Sequence, residues 1–217
     1  MKKILSDTFH KFFYILFPFI VVFLGTIYPS ADSDLGWHLK YGEYFFQTGK
    51  ILRGNTLSTM MPGFNWINSS WGTDLISYVT FHFSGFLGLS IAAALIISLI
   101  FYIFSKSFKL SFWEISLLFP LLLYMEQPMF VISFRGQLLS FLGLAILYYL
   151  LSNFQQGRKR IIFLAIPLFI LWSNIHGEFI FGLGIFFLWT VVFLLSKIGS
   201  LNLKSITFLI KESFNLI

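Results

Sequence analysis

Cysteine is absent from the 217 residues, which excludes a disulfide framework, a thiolate metal site and a thioether-bound haem, and leaves redox usage silent about compartment. Charge is scarce too. Charged residues make up 11% of the chain, too few to clothe a soluble domain. The lysines and arginines outnumber the acids by fifteen to nine, yet they sit at the ends of apolar runs and form no continuous stripe, which argues against nucleic acid as a partner. No internal repeat or low-complexity segment is present.

What fills the chain instead is apolar: 57% hydrophobic residues, 21% aromatics and thirty phenylalanines. Such a surface needs the lipid bilayer around it. Apolar runs at 12–28, 86–104, 112–125, 129–151, 161–172 and 179–195 predict an all-α fold, a polytopic transmembrane helical bundle. A perpendicular crossing needs about 20 apolar residues, so the third and fifth runs must recruit their flanks. The first run exceeds the about 7–15 residues of a signal-peptide core, and Pro29 suits no cleavage site, so it reads as an uncleaved anchor. Residues 1–217 form a single transmembrane domain on this reading. Because the chain ends in another lysine-flanked apolar stretch, it reads as an N-terminal fragment.

Placing the N-terminus in the cytoplasm puts Lys2, Lys3, Lys11, Lys106, Lys109, Arg158, Lys159, Arg160, Lys197, Lys204 and Lys211 inside, and only Lys40, Lys50, Arg53 and Arg135 outside. That bias is strongly positive-inside. Asp32, Asp34, Glu43, Asp74, Glu126 and Glu178 fall outside, against Asp7, Glu114 and Glu212 inside. Acids contribute little to orientation, so their outward clustering points to a site. The expected location is an integral protein of a bacterial cytoplasmic membrane.

The outer loop 29–85 is too long for a connector and is expected to be structured. Asp34 can N-cap a helix with the apolar stripe Leu35, Leu39, Gly42 and Phe46, closed by Gly49. With Trp37, Tyr41 and Tyr44 on its flanks, this helix suits the membrane surface. A second amphipathic helix is expected from Trp71 to Phe83, separated from the next span by Ser84 and Gly85.

Several residues on this side carry chemistry. Asp32 and Asp34, two apart, can hold a divalent cation (Mg or Mn) or a substrate hydroxyl, or simply belong to a solvated loop with a cap. His38, four after Asp34, can orient that carboxylate or face headgroups. Lys40, Lys50 and Arg53 can meet phosphate or lipid headgroups. Arg135 lies in an apolar segment about two turns from its outer end, a functional candidate or a snorkelling cation, with Glu126 or Asp34 as partner.

The run from Trp172 to Glu178 gathers Asn174, His176 and Glu178 at the end of the fifth span, as a site or a polar turn. Trp37, Trp66, Trp71 and Trp172 can stack on a sugar or form an interfacial belt. Tyr78 and His82 read as packing residues. The Asn68-Ser69-Ser70 sequon carries no weight.

Taken together, Asp32-Ser33-Asp34-Leu35-Gly36-Trp37-His38-Leu39, Gly42, Asn68-Ser69-Ser70-Trp71, Arg135 and Asn174-Ile175-His176-Gly177 form a pattern. It resembles bacterial polytopic membrane proteins related to the C-type (GT-C) glycosyltransferase superfamily, from the first span to about Gly184. The resemblance implies a membrane enzyme that moves a sugar from a polyprenyl-phosphate donor to an acceptor glycan, lipid or protein on the non-cytoplasmic face. It implies Asp34 as the general base, Asp32 as helper or metal ligand, and Arg135 with His176 on the donor phosphate. His38, Asn174, Trp37 and Trp71 join as substrate-binding candidates. A transporter or lipid-handling protein, and a non-catalytic scaffold, are the competing classes.

Overall fold

The computed structural model describes residues 16–27, 32–54, 59–61, 63–65, 67–125 and 134–199. Among these the chain is helical, without a strand; one isolated bridge pairs Gly54 with Asn65. The helices are α1 (Leu16–Gly25), α2 (Leu35–Thr48), α3 (Trp71–Phe108), α4 (Phe112–Met125), α5 (Gly136–Gln155), α6 (Ala165–Trp172) and α7 (Phe179–Gly199), with a 3-10 segment at Lys159–Leu164. The chain divides into two compact units, Met1–Phe179 and Ile180–Ile217. The second contains nearly all of α7.

Three helices, Trp71–Phe108, Gly136–Gln155 and Phe179–Ser196, are long and apolar enough to cross a membrane, the signature of a membrane protein. The two short expected runs are short helices where described. The run 112–125 is a fourteen-residue helix containing Pro120, and 161–172 is a 3-10 segment followed by an eight-residue helix. The segment expected as a long loop, 29–85, is largely helical where described, forming α2 and the first arm of α3.

Local sequence explains the ends of these elements. Gly49 closes α2 in the left-handed conformation, φ 66°, its N–H donating to Phe45 O at 2.8 Å, which a residue without Cβ does at no steric cost. Gly85 interrupts α3 at φ 60°, ψ −157°, a combination open essentially to glycine alone. It separates the arm that packs on α2 from the longer apolar arm, at the position the sequence marks with Ser84-Gly85.

Along that longer arm Leu89, Ala93, Ile97 and Phe101 recur every fourth residue and are buried, facing Leu138 and Ala145 of α5, Phe119 of α4 and Val22 of α1. Small residues let the helices approach closely, as membrane helices do when packing supplies the attraction. A Cβ on Gly143 would lie 2.7 Å from the Trp172 ring. Trp172, expected at an interface, is instead buried against α5 and donates Nε1–H to Ser140 Oγ at 3.1 Å.

The two long helices of the first unit run side by side in the same direction. Gly72 and Gly136, at their starts, both touch the turn after α6, while Ser152 Oγ donates to Ser107 O at their far ends. Asp32, Asp34, Asp74 and Glu178 gather near the starting end, while Glu114 stands after the far end of α3.

Candidate functional site

Arg135 is the hinge of the site. Its backbone is extended (φ −130°, ψ 161°) immediately before α5, so it stands at the helix start, a correction to its expected place two turns inside a span. From there Nη2 donates to Asp34 Oδ2 at 2.7 Å, and Nε lies 2.9 Å from Asp32 Oδ2. A planar guanidinium suits two carboxylates at once. Of its two expected partners, Asp34 is found; Glu126 lies outside the described residues, as does Trp66.

This pairing also corrects the role of Asp34 at the start of α2. Asp34 occupies the N-cap position, but its backbone is right-handed helical (φ −90°, ψ −6°) and not the extended form a capping side chain needs; its Oδ2 turns to Arg135 instead. Its backbone oxygen accepts from Trp37 N and His38 N, and its own N–H donates to Asp32 Oδ1 at 3.0 Å. The turn therefore fixes both acids relative to α2.

His38, which helical spacing offers to Asp34, pairs with Asp74 instead. His38 Nδ1 lies 2.5 Å from Asp74 Oδ1, and Asn68 Nδ2 donates to Asp74 Oδ2 at the same distance. Asp74 is 3% exposed, and a carboxylate so buried requires such partners. Gly42 creates the contact: a Cβ there would overlap Asp74 O, so its absence lets the α2 backbone rest on α3. Burial alone lowers the His38 pKa. The hydrogen bond and charge of Asp74, helped by Asp32 and Asp34, outweigh that and hold it above 6.5.

The turn after α6 is clasped onto α3. Gly72 N donates to Asn174 O at 2.8 Å, Trp71 Nε1 to Asn174 Oδ1 at 2.9 Å, and Thr73 Oγ1 to Ile175 O at 2.6 Å. Asn174 Nδ2 donates to Ile170 O, so this amide is engaged within the protein. His176 packs over Gly136, where a Cβ would meet its ring at 2.5 Å, and its Nδ1 lies 3.3 Å from Ser140 Oγ. Burial lowers its pKa; Glu178 opposes this, while the charges of His38 and Arg135 reinforce it.

Beside these groups opens a cavity of about 540 Å³. Asp34, His38, Asp74 and Asn68 give it a polar side, and Trp37, Tyr41 and Phe64 are among its aromatic walls. Asp32, Arg135, Asn174, His176 and Trp71 do not line it. Asp34, 55% exposed at its side chain, is thus both in the cavity and tied to Arg135 behind it. Lys40 is paired with Glu43 at 2.8 Å.

Asp32 and Asp34 do not fit a divalent cation. One guanidinium takes an oxygen of each, and among the described residues no three His, Asp or Glu side chains converge. Comparison with family models, curated proteins and solved structures finds no match to this chain.

Two members of the cluster carry no role of their own in the sequence. Asp74 counts there only as one of the outer acids, although an acid in the first turn of an apolar helix is a signal. Asn68 enters only within a sequon and the Asn68-Ser69-Ser70-Trp71 motif. Tyr78 and His82 stack on one another at 5.5 Å.

Proposed function

We propose that this chain is a GT-C-type membrane glycosyltransferase, or part of one, moving a sugar from a polyprenyl-phosphate donor to an acceptor on the non-cytoplasmic face. The observation that carries the reading is Asp34: its carboxylate faces a partly aromatic cavity while Arg135, from the start of a different helix, holds it from behind. An exposed carboxylate in that position can take a proton from an acceptor hydroxyl. His38 lines the same cavity as a partner for the donor phosphate, with Arg135 behind Asp34, and the aromatic walls suit a pyranose face or an isoprenoid.

In this reading the chain is a six-span bundle in a bacterial cytoplasmic membrane. Its N-terminus is cytoplasmic, and the 29–85 segment lies on the outer face. Those positions follow from the distribution of lysine and arginine. Asp32 shares the guanidinium and sets its orientation, without a metal. Carboxylates and histidines gathered at one end of the helices favour chemistry at a surface over passage through a pore.

The test is Asp34→Asn in the complete protein, assayed in membranes supplied with labelled polyprenyl-phosphate sugars. Transfer is expected to fall by about 10²–10⁴-fold with expression unchanged. Undiminished transfer removes the assigned base.

A further inference from the structure

The far end of α3 and α5, away from Asp34, carries a second polar cleft. Its volume is about 440 Å³; its lining includes Lys106 and Arg158, the amides Asn153 and Gln156, and the rings of Tyr102 and Tyr149. No carboxylate lines it among the described residues.

These cations do not serve the helix ends. Both helices close with the same backbone motif. In α3, Leu110 N donates to Ser105 O and Lys109 N to Lys106 O, with Lys109 at φ 55°. In α5, Arg158 N donates to Asn153 O and Gly157 N to Phe154 O, with Gly157 at φ 97°. This is the Schellman arrangement, in which backbone N–H groups satisfy last-turn carbonyls; the side chains that add to it are Lys159 on Phe154 O and Ser152 on Ser107 O. The side chains of Lys106 and Arg158 are left to other work.

Their orientation is partly fixed. Arg158 Nη1 donates to Asn153 Oδ1 at 2.9 Å, and the Asn153 amide is anchored in turn on Tyr149 O at 2.8 Å. Lys106 Nζ lies 5.5 Å from the Tyr102 ring centre, and no carboxylate pairs with it among the described residues. Two cations beside amide donors, with an apolar wall from Ile103 and Ile146, make a receptor for an amphiphilic anion.

We infer that the cleft between the C-terminal ends of α3 and α5 binds a phosphate-bearing anion through Lys106 and Arg158. The ligand is a phosphate ester whose hydrocarbon part lies against Tyr102, Ile103 and Ile146. A phospholipid headgroup and a free phosphate share the recognising chemistry. The site is independent of the glycosyl-transfer reading, since it lies at the opposite end and uses none of its residues.

The test is native mass spectrometry of the full chain in detergent, titrated with phosphatidylglycerol, with phosphatidylcholine and with inorganic phosphate. One phosphatidylglycerol is expected to be retained in preference to phosphatidylcholine. Lys106→Gln and Arg158→Gln should each weaken it about 5-fold, the effect of about one surface cation. Arg160→Gln, which removes the same charge outside the cleft, should leave it unchanged. Should Arg158→Gln misfold, Lys106→Gln carries the test, because that exposed side chain makes no hydrogen bond among the described residues.

If millimolar phosphate displaces the lipid, the site takes the bare anion as well; if it does not, the headgroup in its lipid context is the ligand. Equal retention of both lipids, an Arg160→Gln loss as large as the others, or no effect of Lys106→Gln would overturn the assignment.

Discussion

Arg135 Nη2 donates to Asp34 Oδ2 at 2.7 Å across 101 residues of chain. The bond joins the residue before α2 to the residue before α5, so two helix starts are fixed by one guanidinium. Asp32 completes the arrangement from a position where its side chain is fully covered.

Replacing Arg135 with Gln leaves Asp32 with an uncompensated charge. Its Oδ2 contact is an ion pair without hydrogen-bond geometry, so charge is what is lost. Breaking a fully buried pair costs about 3–5 kcal/mol; with Arg135 26% exposed, about 2 kcal/mol is the expected loss. Thermal unfolding in detergent measures it. Adding Asp32→Asn should restore most of the loss, and a double variant no more stable than the single one would reject the pairing.

The two histidines make stability depend on pH with opposite signs. His38, raised above 6.5 by Asp74 against the pull of burial, contributes fully below pH 6.5, and that contribution is lost as pH rises through its folded value. His176, lowered by burial, contributes above pH 6.5, and that contribution is lost as pH falls from 6.5 through its folded value. A maximum in melting temperature near pH 6.5 follows. Asp74→Asn should abolish the alkaline decline and, with burial then pulling His38 below 6.5, steepen the acid one; histidine NMR titration should show His38 moving below 6.5.

The absence of cysteine makes sidedness directly measurable. Ser33→Cys, beside Asp34, introduces a single thiol in an exposed turn. In sealed right-side-out vesicles a membrane-impermeant maleimide should label it without permeabilisation. Labelling that appears only after the vesicles are opened would place Asp34 on the cytoplasmic side, and the outer-face reaction would have no base.

Sequence patterns made local features legible. Gly49 ends α2, Ser84-Gly85 interrupts α3, and Asp34 answers Arg135 because few charges exist to pair with. Tertiary choices were hidden. Spacing of four within a helix offered His38 to Asp34, but Gly42 removes the atoms that would separate α2 from α3, and Asp74 comes closer. Asn174 and Trp71 read as free polar and aromatic groups; each instead satisfies the other. Arg135 looked intramembrane because apolar residues flank it, yet the helix begins only after it, at Gly136.

Gly42 offers the sharpest test of how packing creates the site. Alanine there drives its Cβ into Asp74 O and brings it to 2.6 Å from Tyr78 Cβ, atoms held by the α3 backbone that no rotamer change can move. The helices must separate, at a cost of about 1–3 kcal/mol, while alanine returns up to about 1 kcal/mol in helix propensity. The net result is a loss of stability and a longer His38–Asp74 bond, with the His38 pKa falling. Gly36, on the same helix, faces open space: a Cβ added there would have nothing within 4 Å. Gly36→Ala should therefore gain up to about 1 kcal/mol and leave His38 where it is. Opposite signs from one chemical change on one helix distinguish close approach from propensity, and equal effects in the two variants would show that α2 does not rest on Asp74.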